Sequence, residues 1–276
     1  MTRHAFRAMG TSFVVRTTGD PRRAERRVSE AEDRLSRFLP ASELSRLNAD
    51  PTTRPSLSPD LAEIMGIASE LRARTDGLVD IGVGEAVAAG GYDRSLDAGL
   101  PAVGHPGNLA QPTWSYEAGQ LERAAGGAFD LGGIAKGWIC DRLVDEGLAT
   151  VASAGGDMRS IDPRLVADVE AGATVIEIPV GVGALATSST LDRRWTAANR
   201  SVSHLIHPVT MEPVRSPIVS ATAIASTAVE AEAGAKAVLL KGVDGLAWAA
   251  AQTWIRMAIA TWHDGSVFAT TQREAA

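Results

Sequence analysis

Residues 128–137 read Ala128-Phe129-Asp130-Leu131-Gly132-Gly133-Ile134-Ala135-Lys136-Gly137. The stretch predicts a strand delivering a carboxylate, a glycine pair that lets the backbone approach another group, and a helix over 134–146 stopped by Gly147. Lys136 falls in the first turn of that helix. Backbone N–H donors, the positive end of the helix dipole and an ammonium then converge, which is how a chain presents an anion cradle. No Gly-Lys-Ser/Thr occurs, so this is not a Walker A loop. On pattern alone a second reading stands beside it: a glycine-rich strand–helix corner with a solvated lysine.

Upstream, residues 12–18 (SFVVRTT) read as a strand. Ala24, Val28, Ala31, Leu35 and Phe38 recur at steps of four and three, predicting an amphipathic helix over 21–38. Ser58-Pro59 supplies an N-cap and a first-turn proline for a second helix ending at Gly77. The span 77–91 is rich in Gly and Ala without a clean period, and Pro101, His105, Pro106, Gly107 and Pro112 mark a loop. Short strands are predicted at 114–120 and 120–125, then at 151–154, 174–180, 201–206, 218–225 and 267–270. A helix over 228–240 closes at Gly242, and the apolar span 247–261 predicts a buried helix or a helix plus strand. Strands and helices interleave without a βαβ rhythm, repeat or linker. The expected architecture is one α+β domain over 1–276, mixed sheets with packed helices.

The chain has 276 residues, 45% hydrophobic and 22% charged, an ordinary globular composition. A net charge of −6 gives no global basic field for nucleic acid or an anionic membrane. A lone Cys140 excludes a disulfide framework and any multi-cysteine metal site. No apolar run reaches the roughly 18 residues of a membrane span, and no signal peptide or lipobox is seen, so a cytoplasmic protein is expected. Of 27 basic residues only three are lysine: Lys136, Lys236 and Lys241. Lys241, beside a helix-ending glycine, reads as a charge complementing the helix dipole.

Gly181-Val182-Gly183-Ala184-Leu185-Ala186 follows a predicted strand and fits the dinucleotide turn G-x-G-x-x-G/A. Residues 187–194 carry no apolar helical stripe, and no acidic residue lies about 20 positions on to hold a ribose. An NAD or sugar enzyme would rest on this stretch alone.

The sequence Asp130-Leu131-Gly132-Gly133-Ile134-Ala135-Lys136-Gly137 resembles the signature of the ApbE-like family, the FAD:protein FMN transferases. Other pieces occur in the family's order. Met9-Gly10-Thr11 resembles its MGT, and Leu35-Ser36-Arg37-Phe38 with Ser42-Glu43-Leu44-Ser45-Arg46-Leu47-Asn48 its LSxF…SELSRLN. Gly77-Leu78-Val79-Asp80 with Gly91-Tyr92-Asp93 resembles GxFD…GYD. Ala154-Gly155-Gly156-Asp157-Met158-Arg159 resembles NxGGDIR, with Ser153 where Asn is usual. Ala186-Thr187-Ser188-Ser189 with Arg193-Arg194 resembles ATSG…R, and His204-Leu205-Ile206-His207-Pro208-Val209-Thr210 resembles HIIDPxTG.

The resemblance implies a T-fold-like domain that carries FMN from FAD onto a Thr or Ser of an acceptor flavoprotein or FMN-binding domain. It implies FAD contacts at Met9, Phe38, the Leu78-Val79-Asp80 strand, Asp130 and Lys136. His204 matches a histidine that assists transfer by taking the hydroxyl proton. His204 and His207 are three apart, so on an extended strand they face opposite sides and share no metal. The Gly133 carbonyl matches a magnesium ligand.

The family's second magnesium segment, D-A-L-A-T, aligns from Gly242 with Glu232-Ala233-Gly234-Ala235-Lys236. Glu232 can ligate; Lys236 stands at a ligand position but has no acceptor atom. Glu232 and Lys236 are an i, i+4 pair with the acid N-terminal, so the ammonium could occupy the cation's space while Glu232 holds it. His207 and Met211 replace the Asp and Gly of the DPxTG turn. Magnesium is thus an expectation the residues themselves question, and a second function follows: a flavin-nucleotide-binding protein that has lost transfer through an altered metal site.

Overall fold

The computed structural model describes residues 1–50, 52, 54–92, 109–111, 113–124, 127–191, 194–197 and 200–272. Asp93, Pro101, His105, Pro106, Gly107, Pro112, Ala125 and Arg193, all used above, lie outside them. In chain order the N-terminal part holds β1 (Thr2–Ala8), β2 (Thr11–Thr17), α1 (Pro21–Leu35), α2 (Glu43–Ala49), α3 (Pro59–Arg74) and α4 (Gly84–Ala89). Next come β3 (Trp114–Glu117), β4 (Gln120–Arg123), α5 (Ala135–Asp145), β5 (Val151–Ala154) and β6 (Asp157–Ser160). The strands β7 (Val166–Ala171), β8 (Thr174–Pro179), β9 (Gly183–Ser189), β10 (Arg194–Ala197), β11 (Arg200–Ser203), β12 (Ile206–His207) and β13 (Glu212–Pro213) follow. The chain closes with β14 (Ile218–Ala225), α6 (Ala228–Lys241), α7 (Gly245–Ala251), β15 (Ile255–Trp262) and β16 (Val267–Thr271). The fold is α+β, as expected, and each of these strand pairings is antiparallel.

The chain forms two compact units. The first, Met1–Val28, Lys136–Leu191 and Arg215–Ala276, is built on an eight-stranded sheet in the order β1-β2-β5-β6-β9-β14-β15-β16. Alternation along the strands divides its faces. Val151, Leu185, Ile224 and Ile259 pack with Leu165, Ala167, Val169 and Ile178 of the β7–β8 hairpin region into one apolar cluster. Helix α6 packs against β9 and β14, and its small residues permit a close approach. A side chain at Gly234 would meet Ile255 Cδ1 at 3.1 Å and Ala223 Cβ at 3.2 Å. Thr227 and Glu230 close a capping box at the start of α6, and Asp141 of α5 accepts from the Ala228 and Val229 N–H groups at 2.8 and 3.1 Å. Burial pushes Asp141 up to about 7 against those two donors and Arg159.

The second unit, Ser29–Ala135 and Asp192–Val214, carries α2, α3 and α4 with the two-stranded ribbons β3–β4, β10–β11 and β12–β13. Ser58 caps α3, with Pro59 in its first turn, as the sequence predicts.

Several expectations need correction. Residues 181–186 do not open a helix: Gly183–Ser189 is a strand inside the large sheet, which removes the dinucleotide reading. Leu78-Val79-Asp80 is no strand; it bends out of α3 into a 3₁₀ turn over Ile81–Val83 that Asp80 caps through the Gly82 N–H. Residues 127–130 form no strand, and α5 begins at Ala135. Residues 201–206 divide into β11 and β12, so His204 and His207 do not share one strand.

Candidate functional site

The first unit of the chain carries a lysine–carboxylate cluster. The β5–β6 turn places Asp157. Gly155 sits at φ 65°, and a Cβ on Gly156 would stand 3.0 Å from the Thr187 carbonyl oxygen, so the turn admits only glycine without displacement. Asp157 follows, paired in register with Ala154 and Ala186 and only 2% exposed. Helix α5 delivers Lys136 in its first turn, and α6 delivers Glu232. The Lys136 ammonium donates to Asp157 Oδ2 at 2.5 Å and to Glu232 Oε1 at 3.0 Å. The Gly137 N–H donates to Glu232 Oε2 at 3.3 Å. Helices α5 and α6 approach closely here because residue 137 is glycine: a Cβ would stand 2.9 Å from the Ala228 carbonyl carbon.

Burial works against the Lys136 ammonium, but Asp157 and Glu232 reverse that and hold its pKa above the ordinary lysine value. Burial and the Glu232 charge push Asp157 up to about 6, while Lys136 and Lys236 oppose the rise. Lys236, half-buried one turn after Glu232, therefore belongs to the same electrostatic cluster. Met9 lies on the β1–β2 hairpin, whose two loop residues, Met9 and Gly10, have φ of 50° and 67°. This is the type I′ pattern, and methionine is an unusual residue for it.

In the second unit, Asn48 of α2 grips the backbone of Phe129, donating to its carbonyl at 2.9 Å and accepting from its N–H at 2.8 Å. The Asp130 N–H donates to the Ile81 carbonyl at 2.7 Å. So held, Asp130 accepts from Arg37 Nε at 2.9 Å and from the Gly132 N–H at 2.6 Å. The Arg37 guanidinium also donates to the Tyr92 carbonyl and lies 4.2 Å from the Phe38 ring centroid and 4.9 Å from that of Tyr92. Phe38 meets Tyr92 edge-on at 5.4 Å, and Tyr92 meets His204 edge-on at 6.4 Å. Phe38, Asp130 and His204 thus fall in one cluster joined by Arg37 and Tyr92. Both joining residues stand inside motifs, Arg37 in Leu35–Phe38 and Tyr92 after Gly91, and the pattern by itself gives them no role.

Asp80 stands apart from that cluster. Its oxygens accept from Trp114 Nε1 at 2.8 Å and the Gly82 N–H at 2.7 Å and pair with Arg72 Nε at 2.8 Å. Val79 is buried and its N–H donates to Thr75 Oγ1, while Leu78 is half-buried. Gly133, whose carbonyl was expected to hold magnesium, belongs to this unit and Glu232 to the first.

The DPxTG departures have a local explanation. His207 Nδ1 accepts from the Val209 N–H at 3.2 Å, the role an aspartate oxygen would play, and Met211 takes the glycine conformation at φ 56° while buried. Accepting at Nδ1 requires a ring unprotonated there, and burial lowers the His207 pKa below 6.5. The native state therefore binds fewer protons, and this contribution to stability is present above pH 6.5 and lost as pH falls through the lowered value. The thermal midpoint is expected to drop on acidification more in the wild type than in His207→Asn, whose amide oxygen accepts the same N–H without titrating; equal drops would contradict this.

Among the described residues no helix is long and apolar enough to cross a membrane. The model of the ApbE family matches residues 9–259. The FAD:protein FMN transferase of Vibrio cholerae is 25% identical over an alignment of 283 positions, covering 85% of this chain and 79% of the relative. That of Salmonella typhimurium is 28% identical over 264, covering 82% and 74%. The solved ApbE protein of Thermotoga maritima superposes with a TM-score of 0.81 at 22% identity, over 99% of both chains. The family match runs through both the lysine–carboxylate cluster and the Arg37–Asp130 cluster. With its order of motifs, its fold and that match in agreement, the chain belongs to the ApbE family.

Proposed function

We propose that the protein is an FAD:protein FMN transferase, moving FMN from FAD to a Thr or Ser hydroxyl of an acceptor flavoprotein. The observation that carries this is the family match over residues 9–259, and the match runs through both units, which we read as one functional domain. The acceptor oxygen attacks the FMN-side phosphorus in line. A new O–P bond forms, the bond to the AMP phosphate breaks, and AMP leaves.

His204 takes the hydroxyl proton. Phe38, half-buried beside Arg37, offers an aromatic face for a ring system. Asp130, whose two oxygens accept from Arg37 and the Gly132 N–H, holds Arg37 beside Phe38, and the backbone of Leu78-Val79-Asp80 contributes polar nucleotide contacts. The Asp80 carboxylate itself is occupied by Arg72, Trp114 and Gly82, so its part is to shape the 78–82 bend. In the first unit, Lys136 supplies positive charge where phosphoryl oxygens gain negative charge, and Met9 packs against the nucleotide.

A divalent cation does not fit the donor set the first unit presents. Both Glu232 oxygens already accept from Lys136 and Gly137, and residue 236 has no acceptor. No step is assigned to magnesium.

Incubating the protein with FAD and an acceptor domain, and measuring AMP by chromatography, tests the reading. His204→Ala is expected to slow AMP release by about 10²–10⁴-fold, the usual worth of a general base, with FAD affinity unchanged. Equal rates for variant and wild type would remove His204 from the chemistry.

A further inference from the structure

We propose that Lys236 is a built-in cation that, with Lys136, neutralises the buried Asp157–Glu232 pair, so that the protein binds the diphosphate of its flavin nucleotide without a divalent metal. This deepens the functional reading above and rests on it for the identity of the ligand.

Asp157 and Glu232 bring two negative charges, and Lys136 and Lys236 two positive ones, so the four groups sum to zero. A site that recruits a divalent cation keeps an excess of oxygen ligands and negative charge. Here Lys136 takes one oxygen of each carboxylate, and Gly137 takes the second oxygen of Glu232. A metal would have to displace an ammonium bound to two buried acids. Among the described residues no group of three or more His, Cys, Asp or Glu side chains is placed to hold one.

Lys236 has the right position and exposure for a substitute. It lies one turn after Glu232 on α6, in the favoured acid-then-base order. It is half-buried, whereas its helix neighbours Ala235 and Ala237 are fully buried. An ammonium is a compact charge with three donors, suited to phosphate oxygens.

The test is FAD binding by the full-length protein, followed by flavin fluorescence, in excess EDTA and in excess MgCl₂. Affinities agreeing within about threefold support the proposal, and a larger loss in EDTA overturns it, since a lost charged contact to the diphosphate costs about tenfold or more. Lys236→Thr is expected to lose about tenfold in EDTA and to regain it with MgCl₂, whereas Lys236→Arg keeps metal-free binding. Metal-independent binding by a folded Lys236→Thr would contradict the assignment of Lys236. Should that variant not fold, the wild-type comparison decides alone. If the wild type binds FAD only with MgCl₂, this inference fails and the transferase reading stands; if it binds FAD in neither buffer, both fail.

Discussion

Lys136→Met is expected to destabilise the protein by about 3–5 kcal/mol, the cost of leaving buried charge without its partner. Asp157 is 2% exposed and Glu232 4%, so neither carboxylate can turn to water when the ammonium is gone. Their mutual repulsion, which helps to raise Asp157 to about 6, then loses its main opposing charge. The loss should appear as a shift in the urea midpoint. Adding Asp157→Asn to Lys136→Met removes one of the stranded charges and is expected to recover a substantial part of it. A single-variant loss below about 1 kcal/mol, the level of a surface pair, would show that the cluster does not carry the energetics assigned to it.

Gly137→Ala carries the second large effect, and its sign is informative. Helix propensity alone predicts a gain of about 1 kcal/mol for alanine inside α5. The crossing with α6 predicts the reverse. The new Cβ would stand 2.9 Å from the Ala228 carbonyl carbon, 3.0 Å from its oxygen and 3.0 Å from Glu232 Oε2. Two of those atoms are backbone and cannot turn aside, so overpacking should cost about 1–3 kcal/mol. It should also push Glu232 away from Lys136 and Gly137 and weaken FAD binding. A stabilised Gly137→Ala variant would mean that the two helices do not meet as described.

Much of this was legible in the sequence, element by element. Helix α3 is marked by Ser58-Pro59, because capping chemistry is local. Strand β1 was missed: its residues are exposed or half-buried, so no apolar run announces it. Helix α2 was quoted as a motif without being recognised as a helix, being short enough to carry little periodicity. The Gly181 stretch misled because a turn pattern does not say whether a helix or a strand follows; here β9 follows.

The site divides in the same way. Lys136, Asp130, Glu232, Phe38 and His204 could be named from motifs. Their partners could not, since Lys136 meets Asp157 across 21 positions and Glu232 across 96. Arg37 likewise reaches Asp130 across 93 positions. The local pattern turns Lys136 toward an anion or toward solvent, whereas two carboxylates hold it. That long-range pairing turns Lys236 from an odd substitution into one member of a neutral four-group cluster.

The central claim is transfer, and the intact mass of an acceptor flavoprotein domain tests it most directly. After incubation with this protein and FAD, in buffers with MgCl₂ and with EDTA, the acceptor is predicted to gain one FMN on a single Thr or Ser, with one AMP released for each. An acceptor whose mass is unchanged in both buffers, while the protein binds FAD, would contradict the account.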